Sequence, residues 1–131
     1  MTVLDSSFVF DLLVGDDPPR HSDEAWDEGS EAAAPDLLVF EVVSALRRHA
    51  LAGSITHARA KAAVDDLGDL AVELFPAMML RKRAWELRAN MTVGDALFVA
   101  LAELLAEPLI TRDARLAKAA RLHTTISVIE A

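Results

Sequence analysis

Residues 92–113, TVGDALFVALAELLAEPLITRD, are the stretch on which the fold turns. From Asp95 to Ala106 the chain is strongly apolar and free of Gly and Pro, which predicts a helix with most of its surface buried. Pro108 interrupts it, and Pro108-Leu109-Ile110-Thr111 reads as a strand. The turn between the two is very short, so helix and strand must run in opposite directions. The helix therefore ends at the amino edge of the sheet and begins at its carboxyl edge. That places Asp95, at the helix start, on the same edge as Asp113, which follows the strand.

Working outward, the same alternation recurs. Thr2-Val3-Leu4 is a β-prone run stopping at Asp5-Ser6-Ser7, residues that readily cap a helix over Phe8–Val14. Gly15 and Pro18-Pro19 break that helix, and His21–Ser30 reads as an exposed acidic helix anchored by Trp26. Ala32-Ala33-Ala34 is taken as a second strand from the pattern around it. Pro35 suits the first turn of a helix running to Gly53, and a further helix spans Thr56–Leu67. Ala71–Phe75 alternates as a strand, and Ala77–Ala89 returns to helical spacing. Asp113–Leu122 is a helix and Ile126–Ile129 a closing strand. Strands alternating with helices imply an α/β domain with a mostly parallel sheet, one domain across residues 1–131.

Just over half of the 131 residues are apolar, which argues against disorder. Cysteine is absent, so disulfide and thiolate chemistry are excluded. There is no basic segment followed by an apolar one at the start, and no apolar run of roughly 18 residues. A soluble cytoplasmic protein with no membrane association is the expectation. The formal charge of -8 is localised: residues 11–36 hold nine acids against Arg20 alone, while the rest of the chain is balanced. Its bases are grouped as Arg47 and Arg48, then Arg81, Lys82, Arg83 and Arg88, then Arg112, Arg115, Lys118 and Arg121. These are either solvated helix faces or contacts for a polyanion, since binding depends on local potential.

Parallel sheets concentrate chemistry at the carboxyl ends of their strands. Asp5 ends the first strand, Glu41 lies early in the helix after the second, and Asp95 and Asp113 join them there. Glu41 has Leu37, Leu38 and Ala45 as helical neighbours, and Asp95 faces Phe98, Val99 and Ala102. A carboxylate on an apolar face costs several kcal/mol unless paired. Two unit charges at 4 Å repel by about 4 kcal/mol at an effective dielectric near 20. A hard divalent cation, Mg²⁺ or Mn²⁺, relieves both costs through oxygen ligands. Each acid also has a plainer reading. Asp5 and Asp113 can be helix N-caps, Asp95 can belong to a capping box with Thr92, and Glu41 can pair with Arg47 or Arg81.

In this order the residues resemble the VapC-type toxins of the PIN-domain family from one end of the chain to the other. Asp5-Ser6-Ser7 is similar to the family's opening motif, and Pro35–Val42 to its second, with Glu41 as the acid. Thr92–Glu103 resembles T-x-x-D-A-x-Y-V-A-L-A-E, and Leu109–Leu116 the closing L-x-T-x-D-x-x-L. The resemblance implies a PIN-like three-layer α/β/α fold, with the sheet flanked by helices. It implies an endoribonuclease binding Mg²⁺ or Mn²⁺, the toxin of a toxin–antitoxin pair, that cleaves RNA and so inhibits translation and growth. Asp5, Glu41, Asp95 and Asp113 become catalytic metal ligands, and Ser7 and Thr111 supporting hydroxyls. A homodimer and a small VapB-type antitoxin are the implied partners. The sequence departs from the family at Gly94, where an aromatic residue often stands, and in its rich acidic stretch.

Arg112 and Arg115, beside Asp113, are candidates for steering the RNA backbone. Rival readings are a catalytically silent PIN-like binding module and a metal-dependent phosphotransfer domain. Phosphotransfer wants a second acid two residues after Asp5, where Ser7 stands, or a late lysine, where Thr111 and Arg112 stand. His21, His49, His57 and His123 lack ligand spacing and are read as surface residues. Met78 and Met79 read as core or interface filler, and Trp85 as core in preference to a partner contact.

Overall fold

The computed structural model describes residues 1–15 and 31–131. The expected acidic helix over His21–Ser30, its Trp26 anchor and the Pro18-Pro19 break lie outside the described residues. The chain runs β1 (Thr2–Leu4), α1 (Ser6–Val14), β2 (Ala32–Pro35), α2 (Leu37–Ala52), α3 (His57–Asp69) and β3 (Val72–Phe75). It continues through a 3-10 turn (Ala77–Leu80), α4 (Arg81–Glu86), α5 (Val93–Leu105), β4 (Leu109–Thr111), α6 (Ala114–His123) and β5 (Val128–Glu130). No helix among the described residues is long and apolar enough to cross a membrane.

The five strands pair in the order β3-β2-β1-β4-β5, and every pairing is parallel. Strand order reverses direction at β1: the chain first steps towards β3, then crosses back to β4 and β5. With right-handed crossovers this reversal puts α1, α2 and α3 on one face of the sheet and the later helices on the other. Accordingly α1 packs on α2 and α3, while α4 packs on α5 and α5 lies against β1 and β2. The result is the expected three-layer α/β/α arrangement.

Burial overrides weak strand propensity in β2. Ala32, Ala33 and Ala34 are buried between their neighbours, where small side chains let both helical layers approach. The core is completed by Phe8 of α1, Leu38, Val42 and Leu46 of α2, and Phe98 and Leu101 of α5, all within 1% of full burial. Gly53 ends α2 with φ of 79°, the left-handed geometry that glycine adopts without cost. Ala106 closes α5 in the same geometry at φ 53°, a strained position for alanine, and lets the chain turn into β4 within three residues.

Several boundaries differ from expectation. Pro35 is not the first turn of a helix. It is the last residue of β2, opposite Phe75, and Asp36 takes the N-cap position of α2. The expected helix over Ala77–Ala89 divides into the 3-10 turn, the six residues of α4, and turns after it. Its inward positions are Leu80, Ala84 and Leu87, three or four residues apart. Trp85 is one residue away, so the helix carries it outward: it is 63% exposed, with the Arg88 guanidinium 4.2 Å above its ring. Met78 and Met79 are exposed too, so none of the three fills the core. Glu103 of the fold-deciding stretch is structural. Arg83 Nε donates to its Oε2 at 2.7 Å and Arg83 Nη2 to its Oε1 at 3.0 Å, clasping α4 to α5.

Candidate active site

The carboxyl edge of the sheet is built by the ends of β1 and β4 and the starts of α1, α2, α5 and α6. Asp5 follows β1 and is 4% exposed. It sits at the N-cap position of α1, yet its side chain makes no cap hydrogen bond. Ser7 Oγ and Thr111 Oγ1 each donate to Asp5 Oδ2 at 2.7 Å. Ser7 Oγ in turn accepts the Arg112 N–H at 3.0 Å, and Thr111 Oγ1 accepts the Asp113 N–H at 3.0 Å. A hydroxyl has one proton, and both protons are committed to Asp5. The 3.3 Å approach of Ser7 to Thr111 is therefore no additional strong bond. Two backbone N–H groups are thus relayed through two hydroxyls to one carboxylate oxygen. Ser7 and Thr111, expected as supporting hydroxyls, are the two groups that bond this oxygen.

Burial raises the Asp5 carboxyl above its ordinary value. Its two hydroxyl donors and the Ser6 backbone oppose the rise, and the nearby Asp113 adds to it. Glu41, one turn into α2, flanks the inward face rather than lying on it. It is half-buried and accepts Ser6 Oγ at 3.3 Å. Burial, then Asp5, then Asp95 raise its carboxyl. Burial also raises Asp95, followed by Asp5; Thr92 opposes, Asp113 adds, and Arg115 opposes. Asp5 is therefore within electrostatic reach of Glu41, Asp95 and Asp113, and Asp95 of Glu41 and Asp113 as well.

The plainer readings divide among them. Asp113 is an N-cap: its Oδ1 accepts the N–H groups of Arg115 at 2.9 Å and Leu116 at 3.2 Å. Asp95 forms half a capping box, its N–H donating to Thr92 Oγ1 at 3.1 Å. Among the described residues none of the four carboxylates is in an ion pair, so Glu41 is paired with neither Arg47 nor Arg81.

Nor do three or more His, Asp or Glu side chains among the described residues form a ready ligand set. A closed, all-protein cage is therefore not what the acids offer. An all-oxygen donor set at a half-open rim does suit a small hard cation, which keeps most of its waters and takes only one or two carboxylates directly. Three carboxyls raised by burial and mutual repulsion are what such a charge would offset.

Arg112 is exposed, but its Nε pairs with Asp11 Oδ2 at 2.9 Å, so the candidate for steering RNA is anchored to α1. Arg115 is exposed and stands near Asp95. Two residues join the site beyond those expected from sequence: Ser6, which bonds Glu41, and Asp11, which holds Arg112. The signal for Asp11 is its place four residues after Ser7, on the same face of α1. Gly94 lies against the site as well: a Cβ there would stand 3.5 Å from Glu41 Oε2, so glycine leaves that flank of the carboxylate bare. The described histidines, His49, His57 and His123, are all exposed.

Two clefts open beside the acids. One, of about 630 Å³, includes Ser6, Ser7, Glu41 and Asp113; the other, of about 450 Å³, includes Asp95, Arg88, Asn90 and Arg115. A PIN domain family model matches residues 2–122. Ribonuclease VapC1 of Mycobacterium tuberculosis (strain ATCC 25618 / H37Rv) is 39% identical over 128 residues, 97% of this chain and 96% of its own. Ribonuclease VapC9 of the same strain is 34% identical over 129 residues, 98% of each chain. PAE2754 from Pyrobaculum aerophilum has a similar solved structure, with TM-score 0.69, 22% identity, and coverage of 98% of this chain and 87% of that one. So has VapBC-5, a member of the VapBC family of toxin-antitoxin systems from Mycobacterium tuberculosis, with TM-score 0.61, 21% identity, and coverage of 99% and 98%.

Proposed function

The chain belongs to the PIN-domain family, and from that premise we propose that it is a metal-dependent endoribonuclease, the toxin of a VapBC-type pair. The observation that carries this is the gathering of Asp5, Glu41, Asp95 and Asp113 at one rim, where burial and mutual repulsion raise three of them and no described cation pairs with any. Curated relatives named as ribonucleases, matched over nearly the whole chain, support the same reaction class.

The four acids are the residues that would hold Mg²⁺ or Mn²⁺. Such an ion, when bound, supplies an acidified water and positive charge for the phosphodiester oxygens. The chain's own groups set the frame. Asp5 is the fixed point, because Ser7 and Thr111 hold its Oδ2 and burial restricts the rest. Asp113 is fixed by its cap bonds at Oδ1. Glu41 is held more loosely, and its Oε2, with Gly94 beside it, is the atom placed to hold a proton taken from an attacking water. Arg115, near Asp95, is the group positioned to receive the RNA backbone, with Arg112 secondary because of Asp11. A small antitoxin, a homodimeric state and a cytoplasmic location complete the proposal; all follow from the family.

The test is incubation of total cellular RNA with the purified protein in Mg²⁺, Mn²⁺ or chelator, beside Asp95→Asn. Discrete fragments that need the metal and vanish in the variant are expected. Intact RNA after incubation with folded, metal-supplied protein overturns the proposal in favour of a catalytically silent binding module.

A further inference from the structure

The larger cleft contains more than acids. Phe40, the residue before Glu41, is 70% exposed at its edge, a large apolar area left in water beside the site. Phe10 and His49 add an aromatic pair, ring centroids 4.8 Å apart, and His49 Nδ1 is held by Ser54 Oγ at 2.9 Å. Along α2, Glu41, Ser44, Ala45 and Arg48 are spaced to share one face, and all line the cleft. Ser44 and Ala45, both small, line the cleft between Glu41 and Arg48 along the helix. Arg48 makes no ion pair among the described residues, whereas Arg112, on the same cleft, is fixed by Asp11.

We propose that this cleft seats one unpaired RNA base adjoining the cleaved phosphodiester, with Phe40 as its stacking face and Arg48 as the cation on the flanking phosphate. This assignment rests on the nuclease reading. Aromatic faces alternating with cations are how single-stranded nucleic acid is gripped without paired readout. The volume of about 630 Å³ falls in the range of sites that enclose small organic groups. A partner helix would instead want a continuous apolar stripe, and here Glu41, Asp113, Arg48 and Arg112 interrupt one. Phe40 acts through position and base preference; the acids carry the chemistry.

The experiment measures binding of a fluorescein-labelled single-stranded 12-nucleotide RNA of mixed sequence, in chelator, by anisotropy. Wild type is compared with Phe40→Ala, Phe40→Trp and Arg48→Ala, and a second RNA carries 2-aminopurine. Phe40→Ala should weaken binding by roughly 5- to 150-fold, the range for loss of one stacked base. Phe40→Trp should bind within a few fold of wild type, and at saturating protein 2-aminopurine fluorescence should be quenched by every protein except Phe40→Ala. Arg48→Ala should weaken binding and flatten its logarithmic salt slope by about 0.7, one single-strand phosphate. Affinity within twofold of wild type in Phe40→Ala, or a change in its oligomeric mass with RNA binding intact, overturns the subsite and assigns the surface to a protein partner. Metal-dependent cleavage of total RNA by the wild type, run alongside, separates the two levels. Cleavage that survives unchanged in Phe40→Ala sinks the subsite alone; a wild type that neither cleaves nor binds sinks the nuclease reading with it.

Discussion

Glu41→Gln should raise the stability of the metal-free protein while abolishing cleavage. The substitution keeps shape and helix propensity, and an oxygen remains to accept Ser6 Oγ. It removes a charge raised first by burial and then by Asp5 and Asp95. A pair of charges at 4 Å would repel by about 4 kcal/mol at dielectric 20. Solvent at this half-buried position reduces the gain to about 1–2 kcal/mol. For a chain of 131 residues that is an increase of about 4–7 °C in Tm at pH 7.5 in chelator. The pH dependence fixes the sign. A carboxyl whose folded value is raised binds its proton more tightly in the native state. Wild-type stability therefore falls as pH climbs from the ordinary glutamate value of 4.5 to the raised folded value. Below that window both proteins carry a neutral group, and the difference vanishes. Adding Mg²⁺ at ten times its Kd stabilises the wild type by about 1.4 kcal/mol and the variant by less, narrowing or reversing the gap. Thermal melts by circular dichroism from pH 4 to 8, with and without Mg²⁺, check all three features. A variant that melts below wild type at pH 7.5 in chelator, or a gap unchanged between pH 4 and 7.5, refutes the repulsion argument.

Two further substitutions separate folding from chemistry. Asp113→Ser retains an oxygen to cap α6 and should keep Tm within about 2 °C while losing cleavage; Asp113→Ala should also lose about 1 kcal/mol, read in the same melts. Thr111→Val removes a donor to buried Asp5 and strands the Asp113 N–H, which should cost about 2–3 kcal/mol in urea unfolding and lower kcat by an order of magnitude or more.

How far the chain could be read in advance depended on whether a residue's role was local. The α5–β4 turn was legible because Pro108 and the apolar run before it leave one geometry, and from it the shared edge of Asp95 and Asp113 followed. Ala32–Ala34 were legible only through the pattern around them, since burial between two neighbours is what makes alanine a strand former there. The segment from Ala77 to Glu86 misled because its spacing suits one continuous helix, while Leu80, Ala84 and Leu87 turn Trp85 to solvent. The site divided in the same way. Asp5, Asp95 and Asp113 stood at element ends, which can be inferred, and Glu41 one turn inside α2. The Arg112–Asp11 pair and the Ser6–Glu41 bond join side chains from elements distant in sequence, or loosely placed, so only the fold brings them together.

The four acids also differ in how well folding alone accounts for them. Asp113 stabilises α6 through two N–H bonds, a sufficient reason for an acid there. Asp95 lies in the first turn of α5, where the helix dipole favours a negative charge by about 0.3–1 kcal/mol. Asp5 is buried but accepts two short hydroxyl bonds that offset part of its burial. Glu41 has none of these. It sits past the first turn of α2, receives a single bond at 3.3 Å, and faces Asp5 and Asp95. A folding account would place glutamine there, or an apolar residue continuous with Leu38 and Val42. The carboxylate that contributes least to the fold is therefore the one whose presence most requires a positive charge from outside the chain, and its removal is the most direct test of whether one binds.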